Sequence, residues 1–182
     1  MPKAEQVSTG KPKTSGAVYR APSGTALPTD ASTELAAAYK ELGFVSEDGV
    51  TNTNSPETED VYAWGGTPVL TTQKEKSDEW KLTFIESLNE EVLKTVYGDD
   101  NVTVSGETIT IKASTAQPTA AVYVIDMILR GGALKRVVIP AGTVAEIGDI
   151  VYKDDEAVGY ELTIKAADDG TGNTHYEYIK KA

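Results

Sequence analysis

Few side chains in this 182-residue chain could do chemistry, and His175 is its single imidazole. A hydrolytic triad would set that ring between a carboxylate, from Asp168, Asp169 or Glu177, and a Ser or Thr hydroxyl. One histidine in a tyrosine-rich strand makes no such constellation, and it reads as a surface strand residue. Cysteine is absent, which removes disulfides, thiolate nucleophiles and thiolate metal ligands together. The doublets Asp99-Asp100, Asp154-Asp155 and Asp168-Asp169 lack the spacing of a calcium loop and read as turns. Carboxylate pairs can be drawn at will from a chain with 28 acids, so no glycosidase signal follows without geometry. There is no phosphate-binding glycine loop; Gly131-Gly132 reads as a hairpin turn. Asn101-Val102-Thr103 fits a glycosylation sequon but has no secretory signal to give it meaning. The expectation is a non-enzyme with no metal and no cofactor.

The elements that would hold these residues are mostly strands. Val158, Tyr160, Leu162 and Ile164 alternate with Gly159, Glu161, Thr163 and Lys165, and Asp168 to Asn173 then offers a turn before a strand at 175–179. This pattern predicts a half-buried antiparallel hairpin. Residues 121–129 and 134–139 are apolar on both parities, with Tyr123, Ile125 and Met127 on one side and Val122, Val124 and Ile128 on the other. Both faces of such strands must be covered. One cover is the core; the second is the helix or, in the reading carried furthest, an identical copy alongside. Asp126, the lone acid of the run, should face water or a partner. Pro140-Ala141-Gly142 ends this pair, and 147–152 is a weaker strand.

Upstream, residues 1–16 read as an extended arm and 17–182 as one domain. A strand at 17–21 leads to a helix at 32–42, capped by Thr29-Asp30 and stopped by Gly43. Residues 43–46 form a strand and 47–66 a long loop, because 51–60 contain no aliphatic side chain. Strands at 69–74 and 79–86 are joined by the turn Glu75-Lys76-Ser77-Asp78, with Trp80, Leu82 and Phe84 on the core face. Ser87 and Glu90 fit a capping box that opens the main helix, 88–97, before Gly98. A hairpin at 102–104 and 108–112 follows. The fold class is mainly β: two packed antiparallel sheets, sandwich- or barrel-like, flanked by one α-helix.

The formal charge of -11 is unevenly placed. Residues 1–20 hold Lys3, Lys11, Lys13 and Arg20 against Glu5, a net +3, which leaves -14 for the rest. An acidic body repels phosphate backbones, so gripping nucleic acid is disfavoured while sliding past it is not. The basic arm suits the acids of the long loop, Glu47, Asp48, Glu57, Glu59 and Asp60, on another copy. No run approaches the roughly 18 apolar residues of a membrane helix, and Met1-Pro2-Lys3-Ala4-Glu5 lacks the apolar stretch of a secretory signal. The expectation is a chain made in the cytosol.

Several segments taken in order carry a resemblance: Gly10-Lys11-Pro12-Lys13, Leu42-Gly43-Phe44-Val45-Ser46-Glu47-Asp48-Gly49, Val61-Tyr62-Ala63-Trp64-Gly65-Gly66, Phe84-Ile85-Glu86-Ser87-Leu88-Asn89 and Val96-Tyr97-Gly98. Lys135-Arg136-Val137-Val138-Ile139-Pro140, Glu146-Ile147-Gly148 and Gly159-Tyr160-Glu161-Leu162-Thr163-Ile164 continue it. Together they resemble the major tail protein, or tail tube protein, of long non-contractile-tailed bacteriophages. The resemblance implies homo-hexameric rings whose sheets join between subunits. The rings stack into a hollow tube that passes double-stranded DNA without specific binding. It implies partners among other tail proteins (initiator, terminator, tape measure) and a place in the virion tail after assembly in the host bacterial cytoplasm. Arm and long loop would make ring-to-ring contacts, and Glu75, Asp78, Glu79 and Asp126 would line the lumen. The rivals are the inner tube of a contractile tail or secretion system, which a neighbouring sheath would betray, and a monomeric adhesive or carbohydrate-binding β-sandwich.

Overall fold

The computed structural model describes residues 2–13 and 17–182; Met1 and residues 14–16 of the expected arm lie outside them. Among the described residues the strands are β1 Lys11–Pro12, β2 Val18–Pro22, β3 Lys40–Glu41, β4 Val45–Tyr62, β5 Pro68–Phe84, β6 Val102–Ser105, β7 Thr108–Ile111, β8 Ala121–Ile128, β9 Leu134–Ile147, β10 Tyr160–Ala166 and β11 Tyr176–Lys180, with one α-helix, α1, at Glu90–Tyr97. Among the described residues nine strands form one antiparallel sheet in the order β3-β2-β8-β9-β10-β5-β4, with β1 on β8 and β11 on β9, and β6-β7 form a second. The result is a mainly β, sandwich-like fold with a helix on its flank.

The centre of the sheet is the two-sided pair. Tyr123, Ile125, Val137 and Ile139 point into the larger core, where Val92, Leu93 and Val96 of α1 and Val102 of β6 lie against them. Val122, Val124 and Val138 point the other way, onto Tyr39, Leu27 and Leu35. The apolar reading of both parities therefore holds, and its second cover needs correction. Neither the helix nor an identical copy covers that face: the chain's own residues 22–39 do.

The covering segment is not the expected helix at 32–42. The carboxylate of Asp30 accepts hydrogen bonds from the backbone N–H groups of Ser32 and Thr33 at 2.6 and 2.7 Å, closing a tight turn. The carbonyls of Asp30 and Thr33, which a helix would turn toward its own amides, accept instead from Arg136 Nη1 at 3.0 and 2.9 Å. Local side-chain bonds of this kind compete with helix formation. Gly43 adopts φ +68 and stops no helix; a Cβ there would lie 2.1 Å from the Glu86 carboxyl carbon, and Glu86 Oε1 takes the Phe44 N–H at 2.9 Å.

Arg136 also corrects the placement of Asp126. The two are cross-strand partners, and the guanidinium meets the carboxylate in two hydrogen bonds of 2.6 and 2.8 Å. Arg136 is 0% and Asp126 3% exposed, so the acid faces neither water nor a lumen. An apolar run tolerates a carboxylate when the register supplies a forked cation with its other protons bonded.

Three further expectations change. β9 does not end at Pro140 but runs to Ile147, carrying one extra residue at Pro140-Ala141 where its register with β8 shifts between Ala121 and Tyr123, while 148–152 is not a strand. A Cβ on Gly142 would lie 2.7 Å from the Tyr123 ring, so glycine is what lets the two strands close there. β10 and β11 make no hairpin. Both lie along β9 in one direction, β10 opposite residues 142–147 and β11 opposite 134–138, and the acidic turn between them is an excursion from a single line. Lastly, α1 begins two residues later than expected, with Asn89, not Ser87, accepting from the Glu91 N–H as its cap.

Asp126→Ala leaves Arg136 charged and buried without its partner. It is expected to lower stability by about 3–5 kcal/mol in urea denaturation. A loss below about 1 kcal/mol would contradict the ion pair's assigned weight.

Candidate assembly interface

The expected long loop is a strand. β4 pairs with β5 from Val45 opposite Phe84 to Tyr62 opposite Pro68, so the turn expected at 75–78 does not exist and β5 is continuous. The lower half of β5 alternates into the core through Trp80, Leu82 and Phe84. Beyond Asp78 the two strands leave the body as a two-stranded ribbon exposed on both faces. Such a strand buries nothing, so it has no apolar period to read. It is held by its ladder and by polar ties such as Thr71 Oγ1 to the Asp60 carboxylate, 2.6 Å, and Lys74 to Glu59, 2.9 Å.

At the tip the turn 63–67 closes with Ala63 N–H on the Thr67 carbonyl, and Gly65 and Gly66 take φ +110 and +86. The tip is apolar on a protein surface: Trp64 is 107% exposed, with Tyr62, Val61, Val69 and Leu70 beside it. An isolated two-stranded ribbon is marginal in water, and an exposed edge strand of this length is a ready template for another chain.

The root of the ribbon is pinned by Asp78. Its carboxylate accepts from Asn52 Nδ2 at 2.8 Å and from Thr174 Oγ1 at 2.6 Å, and it meets His175 Nδ1 at 2.5 Å. The His175 ring stands edge-on to Trp80, with centroids 5.2 Å apart. Burial alone would raise the Asp78 pKa, but the bonds from Thr174, His175 and Asn52 together hold it below the ordinary carboxylate value. The placement corrects two readings. Asp78 is 1% exposed and neither tips a turn nor presents to a lumen, and His175 is a partly buried link between segments, not a surface strand residue. The carboxylate sits between hydroxyl and imidazole, whereas a triad needs the imidazole in the middle. Among the described residues no group of three or more His, Cys, Asp or Glu is placed to hold a metal ion, and no helix is long and apolar enough to cross a membrane.

The opposite side of the sheet carries the arm. β1 and β2 lie end to end along β8, with Lys11 opposite Ile128 and Val18 opposite Ile125. The arm is fastened further by the Arg130 N–H to Ser8 Oγ, 2.6 Å, and by Lys13 Nζ 3.5 Å from the Asp126 carboxylate. Between arm and turn lies a cleft of about 300 Å³ lined by Thr9, Lys11, Ile128, Leu129, Arg130 and Gly131. Further along β8, Arg20, opposite Tyr123, grips Asp99 with two bonds of 2.7 and 2.9 Å, tying β2 to the segment after α1; the pair holds the guanidinium pKa above and the carboxyl pKa below their ordinary values.

The residues singled out from sequence are thus divided. Lys3, Lys11 and Lys13 share the arm, while Glu57, Glu59 and Asp60 lie on the ribbon. Glu47 and Asp48 are not with them. They fall where the register shifts between Val45 and Val50, an extra stretch in the edge strand about 30 Å of strand away at roughly 3.3 Å per residue. Glu75 is exposed and paired with Lys165 at 2.9 Å, and Glu79 is half-buried next to the root. Val122, Tyr123, Val124 and Ile125 are core, with Met127 and Ile128 at its margin under the arm. Sequence reasoning passed over Arg136, whose run Lys135-Arg136 reads as solvated, and the Trp64 tip, for which Tyr-Ala-Trp between glycines was the available signal.

A family described as phage tail tube protein matches residues 12–182, from the end of the arm through the last strand. No curated protein matches the chain.

Because the folded pKa of Asp78 is depressed, its contribution is complete above the ordinary value of about 3.9 and is lost as pH falls through the lower folded value. In a Trp64→Phe background Trp80 is the sole tryptophan, and its fluorescence is expected to change over that acid window. Asp78→Asn should remove the transition; an unaltered acid profile in that variant would contradict the pin.

Proposed function

We propose, from the premise that the chain belongs to the phage tail tube protein family, that six copies close into a ring. The rings stack into a hollow tube, and DNA leaves the capsid through it. The family makes the protein a structural component of the phage tail; the ring, the stack and the conduit are our reading. One observation carries it. The sheet ends in two unlike edges, the long free side of β4 and, across the order, the short strands β1, β2 and β3. An edge that pairs with a different edge makes a head-to-tail contact, and such contacts close into rings when the rotation per subunit allows. Joining subunit sheets also removes the open edges that would aggregate otherwise.

In this reading residues 17–182 form the tube domain and 1–16 the arm. Arm and ribbon, with Lys3, Lys11 and Lys13 against Glu57, Glu59 and Asp60, carry contacts between copies, and Glu47 and Asp48 mark the lower part of the same edge. Glu75 and Glu79 are the remaining candidates for the lumen, where negative charge keeps phosphates from adhering. Partners are further copies of the chain and the tail proteins that start, measure and end the tube, in host cytoplasm. Among the described residues of the site no nucleophile and base are arranged for catalysis.

Negative-stain microscopy of the concentrated protein should show hollow fibres of uniform width; dispersed globular particles under every condition tried would count against the reading. Fibres of Glu75→Lys and Glu79→Lys protein should keep their length while phage carrying them release DNA more slowly. Unchanged release in both would remove these acids from the lumen.

A further inference from the structure

The register places ribbon and arm cleft at the same end of the strands. β8 runs toward Ile128, which lies opposite Leu134 and Lys11, so the cleft is at that end. β10 runs the same way as β8, both being antiparallel to β9, and β5 runs against β10. Going back along β5 from Glu79, opposite Lys165, to Pro68 therefore leads to the end where the cleft sits. Measured along their own strands, Pro68 is about 35 Å beyond Glu79 and Leu134 about 30 Å beyond Thr143, at roughly 3.3 Å per residue, so both features extend toward the same end of the sheet. Laterally they are on opposite sides, the ribbon at the β5-β4 side and the arm beyond β8.

This geometry distinguishes two kinds of contact. Contact between stacked rings facing one way needs a projection at one end and its receiver at the other. Contact between neighbours in one ring needs projection and receiver on opposite sides and toward the same end, which is what the strand directions and order give. We infer that the ribbon tip docks in the arm cleft of the adjacent copy within the same ring, with Trp64 as anchor against Arg130. The inference rests on the ring reading above and assigns to lateral closure the arm and loop first expected to join ring to ring.

Charge and shape agree. Residues 52–77 carry Glu57, Glu59, Asp60 and Glu75 against Lys74 and Lys76, while residues 2–13 carry Lys3, Lys11 and Lys13 against Glu5, with Arg130 beneath. A second copy therefore brings an apolar tip on a net negative ribbon to a net positive cleft. Trp64 is the most exposed large apolar side chain named in the fold, and Trp and Arg are the side chains that most often dominate interface energy. A guanidinium over an indole face is attracted by the ring. The cleft of about 300 Å³ is at the small end of pockets that take a side-chain-sized group.

Because the chain has no cysteine, paired cysteines report this contact without background. Ala63→Cys with Thr9→Cys leaves Trp64 and Arg130 intact; oxidised after assembly and run on a denaturing gel, it should give a covalent ladder that stops at six. A ladder running past six means contact from ring to ring, and no ladder in rings that form normally means no contact at all; either result overturns the inference and leaves the ring standing. Trp64→Ala should raise the concentration needed for rings by at least about tenfold with the free subunit's circular dichroism unchanged. Rings of Trp64→Ala that close normally but fail to stack would also overturn it. If the unaltered chain forms no rings, the ring reading falls and this inference with it.

Discussion

Both faces of the central sheet are occupied within a single chain. On one side Tyr123, Ile125, Val137 and Ile139 meet α1 and β6, and on the other Val122, Val124 and Val138 meet Leu27, Leu35 and Tyr39. Arg136 locks this arrangement, because its guanidinium holds the Asp126 carboxylate and two carbonyls of the covering segment. With the faces closed, hydrogen bonding at strand edges and the features projecting from them are what remain for meeting another copy. In the ring proposed above, a subunit built this way would fold before it assembles, and its assembly surface would be polar backbone with a few apolar anchors, not an exposed core.

How much of this was legible in the sequence follows from what each segment buries. The period-two pattern at 158–165 and the two-sided runs at 121–129 and 134–139 announced their strands, since burial on one or two faces leaves a mark on residue type. α1 was legible through its apolar stripe and Gly98, though its cap is Asn89 and not Ser87, and the small hairpin of β6 and β7 through its turn. The ribbon was not, because Thr51 to Asp60 contacts solvent on both faces and needs no apolar residue; polarity was read as a loop. Partnership was equally hidden. The alternation of β10 fixes which side chains point inward but not that β11 continues along β9, a fact of long-range register.

The acids show the same division. Asp78 and Asp126 looked like their surface neighbours by composition, yet each is buried because a specific donor set faces it: Asn52, Thr174 and His175 for the first, Arg136 for the second. Those partners are 26 to 97 residues distant for Asp78 and 10 for Asp126, beyond the reach of local pattern. Glu75 and Glu79, without such enclosure, keep a place among groups that act through the field at the surface. The sole histidine, which first invited a catalytic reading, instead ties the last strand to the root of the ribbon.

The claim that edges and not faces join the copies is tested most directly by amide hydrogen exchange on free subunits and on assembled tubes. Protection gained on assembly should be concentrated in β4, the ribbon and the arm beside β8, with residues 22–39 and α1 unchanged. Protection gained mainly over residues 22–39 or α1, with β4 exchanging as in the free subunit, would contradict the account.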